Sequence, residues 1–96
     1  MKKHIISLLF FILSLAKSQV IYKVPIHDTI DLGLPPFIER SIEMAEQAKA
    51  DAIIFDIDTF GGRLDAATQI KDAILSTKIP TIAFINRRAI SAGALI

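Results

Sequence analysis

The 96-residue sequence predicts an α/β fold built on a mostly parallel sheet. Three observations carry that expectation. Strand-like apolar runs alternate with segments whose apolar residues recur at helical spacing. One run, Ala52-Ile53-Ile54-Phe55-Asp56-Ile57, is apolar but for a single acid, the pattern of a strand covered on both faces. Proline and glycine fall between the runs, at Gly33, Pro36, Gly61-Gly62 and Pro80. The resulting order β-α-β-α-β-α calls for right-handed crossovers between parallel strands.

The chain opens with an address. Met1-Lys2-Lys3-His4 is a short basic start, and Ile5 to Ala16 is apolar except for Ser7 and Ser14. Those 12 residues fall short of the ~20 that a spanning helix needs. Ala16 and Ser18 stand three and one residues before Gln19, the spacing of a signal-peptidase site. Residues 1–18 therefore read as a signal peptide, and residues 19–96 as an exported chain. A buried N-terminal helix is the alternative, but the segment shows no helical stripe.

Val20 to Ile26 alternates around Lys23 and predicts a strand, with Pro25 marking an edge or an end. His27 to Pro36 predicts a loop, and Pro36 suits the first turn of a helix reaching about Ala50. There Ile38, Ile42, Ala45 and Ala48 share one face, while Glu39, Arg40, Glu43, Glu46 and Lys49 share the other. The strand 52–57 follows, then the loop Asp58-Thr59-Phe60-Gly61-Gly62-Arg63. A second helix is expected over 65–76, with Ala66, Ile70, Ala73 and Ile74 inward. Pro80 opens a strand over 81–85, Asn86-Arg87-Arg88 reads as a polar turn, and Ala89 begins another helix. The final apolar stretch, Ala89 to Ile96, has no cap or polar tail, so the sequence reads as a piece of a longer protein.

Composition narrows the functional classes. At 52% hydrophobic, the chain is not a disordered one. Eleven Lys and Arg stand against ten Asp and Glu. Without Lys2, Lys3 and Lys17 the balance is eight against ten, a net charge of −2. No basic patch survives to bind nucleic acid. The sequence has no cysteine, which excludes disulfides, thiolate metal sites and a lipid-anchored cysteine at the processing site.

Ligands of open parallel sheets bind beyond the carboxyl ends of the strands. Two features fall there: Gly61-Gly62 after one strand, and Ser91-Ala92-Gly93 after the next. Glycine permits positive φ and close approach, so it can turn an amide N–H towards a ligand. A serine at a helix start sits near free N–H groups, which favours a developing oxyanion. The plainer readings stand beside these: Ser91 as an N-cap, worth ~1 kcal/mol, and the glycines as a tight turn. No base is visible. His4 leaves with the leader, His27 lies in a loop, and Lys71 and Lys78 read as solvated charges. Asp56 and Asp58 lack a third ligand at usable spacing, so no metal site is expected, and capping of the glycine loop is their expected role.

Taken together, Asp58-Thr59-Phe60-Gly61-Gly62-Arg63, Ala66-Ala67, Ile79-Pro80-Thr81 and Ile90-Ser91-Ala92-Gly93 resemble the N-terminal protease domain of NfeD-type membrane-bound serine proteases, relatives of the ClpP group. Upstream, Ile26, Ile30-Asp31 and Pro36 resemble that family's opening strand and first helix. The resemblance implies a ClpP/crotonase-like fold of repeated ββα and βα units, incomplete in this chain. It implies Ser91 as nucleophile and the amides of Gly61, Gly62 and Ala92 as candidates for the oxyanion hole. The general base would be a lysine on a later segment, not in this chain, with its pKa lowered by burial. No cofactor is implied. The implied partners are a peptide or membrane-protein substrate and further copies of the chain, with membrane association through segments absent here, on the extracytoplasmic face. One position departs from the family pattern: Phe60 stands where it usually has proline, which would fix φ before the glycines. A non-catalytic scaffold of the same fold is the alternative function. Acyl-CoA chemistry of the crotonase type is a third, disfavoured by the export signal.

Overall fold

The computed structural model describes residues 18–96, so the proposed leader lies almost wholly outside the described residues. Three strands, β1 (Ile21–Ile30), β2 (Ala52–Gly62) and β3 (Thr81–Ala89), form one parallel sheet in the order β1-β2-β3. Helix α1 (Leu34–Gln47) joins the first two strands and α2 (Leu64–Ser76) joins the last two. A 3-10 turn, Ser91–Leu95, follows β3. The parallel α/β expectation holds.

Alternation decides the core. Val24 and Ile26 of β1 and Ile53, Phe55 and Ile57 of β2 point to one face. Ile38, Ile42 and Ala45 of α1 and Ala66, Ala67 and Ile70 of α2 join them in a single buried cluster. Both helices therefore cover the same face, and the opposite face is open, with Lys23, His27, Ile82 and Phe84 exposed. The continuous apolar run of β2 led us to expect cover on both faces. Among the described residues only one face is packed, and Ile54 is half-buried on the other.

Helix α1 ends earlier than its composition implies. Ala48 is the C-cap, Lys49 takes the left-handed φ of 53°, and Ala50 returns to the core. The amide of Ala50 donates to the Ala45 carbonyl at 2.9 Å and that of Lys49 to Glu46 at 3.0 Å. That pair of bonds is a Schellman stop, with lysine in the place where glycine is usual. Ala48 is thereby exposed instead of inward.

The strands are longer than expected at their carboxyl ends. β1 runs through His27 to Ile30, and β2 runs through Asp58 to Gly62, pairing Thr29 with Gly61 and Ile30 with Gly62. β3 takes in Asn86, Arg87 and Arg88, so the expected polar turn is strand. Both ladders slip at one level, between His27 and Thr29 on one side and between Ile57 and Thr59 on the other. Such irregularities bend and re-aim a strand end. Here they carry the glycine pair into a shifted register against β1.

Candidate active site

The two features singled out in the sequence meet. Gly61 has φ 105°, and a Cβ built there would lie 2.7 Å from the Ile90 carbonyl oxygen, 2.9 Å from Ser91 Cβ and 3.1 Å from the Ala92 nitrogen. Only a residue without a side chain lets the β2 end press against the turn that carries Ser91. Gly62 is turned differently. A Cβ on it would strike the backbone of Ile30 in β1.

The turn itself is held by short backbone bonds. The Ile90 amide donates to the Thr59 carbonyl at 3.1 Å, and the Gly93 amide donates to the Ile90 carbonyl at 2.9 Å. Ala92 and Gly93 are buried while Ser91 is exposed. Ser91 has φ 56°, a left-handed conformation that costs a non-glycine residue roughly 1–2 kcal/mol. Strain of this kind persists only where the surroundings over-determine it, and it gathers at functional turns. The expected helix start is corrected here. Ile90, not Ser91, is the N-cap, it makes no side-chain cap bond, and five residues of 3-10 turn lack the aligned peptides of a long α-helix. The sharp turn, not a helix field, is what distinguishes Ser91.

Thr59 was not anticipated and is central. It is 1% exposed, accepts the Gly61 amide on Oγ1 at 3.0 Å, and donates its hydroxyl to the Asp28 carbonyl. The signal was available, since a threonine two residues before a glycine is a common side-chain-to-backbone turn. Asp56 and Asp58 do not cap the glycine loop, contrary to expectation. Asp56 is buried, with Oδ2 3.7 Å from Lys23 Nζ and 3.4 Å from His27 Nε2, and Oδ1 has no hydrogen-bond partner. Asp58 Oδ1 lies 3.2 Å from Arg88 Nε.

Of the candidate bases, His27 and Lys71 have carboxylate partners of their own. His27 sits within β1, not in a loop, and faces Asp56. Lys71 pairs with Asp72 at 3.4 Å, and Lys78 is exposed beyond α2. No group of three or more histidine, aspartate or glutamate side chains that could hold a metal is present among the described residues. At the start of α2, Arg63 binds Asp65 through Nε at 3.0 Å and Nη2 at 2.8 Å. That hydrogen-bonded guanidinium holds the Asp65 carboxyl below its ordinary range and raises the Arg63 pKa in turn.

Comparison with known proteins identifies the family and the fold. The family described as NfeD1b, N-terminal domain, matches residues 20–96. Membrane protein NfeD1b of Bacillus subtilis is 42% identical over 81 residues, covering 84% of this chain and 18% of that protein. Membrane-bound protease PH1510 of Pyrococcus horikoshii is 35% identical over 94 residues, covering 95% of this chain and 21% of that protein. The chain thus spans about a fifth of the length of these relatives. Among solved structures, a mutant of the 1510-N membrane-bound stomatin-specific protease in complex with a substrate peptide superposes with a TM-score of 0.71 at 34% identity, covering 81% of this chain and 37% of that one. ClpP1 from Listeria monocytogenes superposes at 0.73 with 25% identity, covering 76% of this chain and 43% of that one. The fold is ClpP-like, the architecture of these proteases.

Proposed function

The chain belongs to the NfeD1b N-terminal domain family, and on that footing we propose that it is the nucleophile-bearing part of a Ser–Lys endopeptidase that cleaves apolar segments of membrane-associated proteins. One observation supports this most: the close packing of Gly61 on the left-handed turn at Ser91 and Ala92. It brings a hydroxyl and backbone donors to the carboxyl end of the sheet, where an extended peptide can lie against them.

In this reading Ser91 Oγ attacks the scissile carbonyl, and its proton passes to a neutral lysine outside this chain. The negative charge that develops on the carbonyl oxygen is received by the Ala92 and Gly62 amides. Each such donor is worth about 3–4 kcal/mol in the transition state. The Gly61 amide, engaged by Thr59 Oγ1, contributes by holding the loop. The lysine returns the proton to the leaving amine, and water then hydrolyses the acyl-serine. A relative bearing a substrate peptide supports a peptide as ligand here. Export past residue 18, membrane association through other segments and self-assembly complete the proposal. Among the described residues no helix is long and apolar enough to cross a membrane.

The scaffold reading draws on one observation, the commitment of the Gly61 amide to Thr59, which takes one candidate donor away from any oxyanion. A fluorophosphonate probe on the full-length protein, followed by mass spectrometry, separates the two. Modification at Ser91, abolished in Ser91→Ala with folding retained, supports the endopeptidase. Absence of labelling at Ser91 in the folded wild type would leave the scaffold.

A further inference from the structure

Beside the site, one cluster bridges β2 and β3 and has no part in the chemistry above. The Arg88 guanidinium carbon lies 4.2 Å from the centroid of the Phe60 ring, and Arg88 Nε lies 3.2 Å from Asp58 Oδ1. Arg88 and Asp58 are largely covered, while Phe60 is 68% exposed. A planar guanidinium can present its face to a ring and its edge to a carboxylate at once, which an ammonium cannot.

The location matters more than the contacts. The β2–β3 ladder is regular from Ile53 paired with Thr81 to Ile57 paired with Ile85, then slips before Thr59 pairs with Ala89. Past the slip the backbone holds the two strands at Thr59, which pairs with Ala89 and accepts the Ile90 amide, while Asp58, Phe60 and residues 86–88 have no partner in the β2–β3 ladder. Phe60 leads directly into Gly61, and Arg88 leads through Ala89 and Ile90 into Ser91. Both halves of the candidate site hang from the segment that the cluster ties together.

We propose that Arg88, clamped between the Phe60 ring and the Asp58 carboxylate, is the positioning residue that holds the glycine pair against the Ser91 turn across the slip in the β2–β3 ladder. Its catalytic consequence rests on the reading of Ser91 as nucleophile. Its mechanical content does not, because the packing of Gly61 on Ser91 and Ala92 exists whatever the protein does.

The test uses the full-length protein and two readouts: hydrogen–deuterium exchange over residues 58–62 and 89–93, and the rate of fluorophosphonate labelling at Ser91. Arg88→Met keeps the aliphatic stem and removes both polar contacts. It should speed exchange in both segments about tenfold and slow labelling about tenfold, with the melting temperature little changed. Arg88→Lys, which keeps charge but loses the plane, should fall between. Phe60→Leu should reproduce part of the effect, and Phe60→Tyr, which keeps the ring, should restore wild-type values. Should Arg88→Met not fold, the Phe60 pair decides the matter in the same way. Unchanged exchange in both segments, or equal behaviour of Phe60→Leu and Phe60→Tyr, would overturn the proposal. So would faster exchange with undiminished labelling in an enzyme whose wild type is labelled. If wild-type Ser91 takes no label, the endopeptidase reading fails and exchange alone still decides the clamp.

Discussion

Replacing Gly61 by alanine tests whether the glycine is needed because of what it touches. Two costs add. At φ 105° an L-residue is strained, by about 1–3 kcal/mol. The new methyl would sit 2.7 Å from the Ile90 carbonyl oxygen, where ordinary contact begins at 3.4 Å. Relief requires the Ile90–Ala92 turn to retreat by ~0.7 Å, and overpacking of that kind costs about 1–3 kcal/mol. The expected loss of stability is therefore roughly 2–6 kcal/mol, with the lower half applying if the turn yields easily. The retreat has a separate consequence. A misplacement of ~1 Å can cost about 10²-fold in rate, so Ser91 labelling should slow by a few tens-fold even where the protein stays folded. Denaturant midpoints of the full-length variant give the first quantity and probe kinetics the second. Gly33→Ala is the control. Its methyl meets only Asp31 Oδ1, at 3.3 Å, and its φ is −78°, so it should cost under about 1 kcal/mol and leave labelling alone. If Gly61→Ala labels within twofold of wild type, the contact with Ser91 does not govern the site.

Further outcomes follow from single contacts. Thr59→Val keeps shape but strands the Gly61 amide and the Asp28 carbonyl, so unfolding measurements should show a loss of about 1–3 kcal/mol. Lys49→Gly relieves the left-handed C-terminal stop of α1 and should raise stability by roughly 1 kcal/mol, seen as a higher denaturant midpoint. Asp65, held below the ordinary carboxyl range by Arg63, contributes stability that is fully present above its unfolded pKa. That contribution is lost as pH falls through the lowered folded value. An NMR titration of the Asp65 carboxyl should therefore shift upward, to the ordinary range, in Arg63→Ala.

The sequence was most legible where one interaction dominates. Ile38, Ile42 and Ala45 recur at helical spacing because burial alone decides that face, and they are buried as expected. Ile53, Phe55 and Ile57 mark β2 for the same reason. The ends of elements were harder, because partners remote in sequence set them. Asp58 to Gly62 has the composition of a loop, yet pairing with Thr29 and Ile30 draws it into the sheet. Asn86 to Arg88 looks like a turn until Asp58 and Phe60 supply partners for Arg88. The meeting of Gly61 with Ser91 comes just past the slip after Ile57, which no local pattern announces. Ser91 and Lys49 take left-handed backbones against their own preference, so propensity points the wrong way at both.

The parallel pairing also dictates an order of assembly. Ile21 meets Ala52, and Ile53 meets Thr81, so each ladder closes only after an intervening helix has folded back across the sheet. Non-local pairings of this kind come late and slowly, because loop entropy is spent before contacts reward it. The surroundings of Ser91 need both closures, and they hang from β3, whose residues 81–87 are exposed throughout. The strand that completes the site is thus also the one with the least to hold it. On gentle heating, the packing of Gly61 on the Ser91 turn should loosen before the packed pair of β1 and β2 gives way, so the first change would be the fraying of an edge, not the melting of a core.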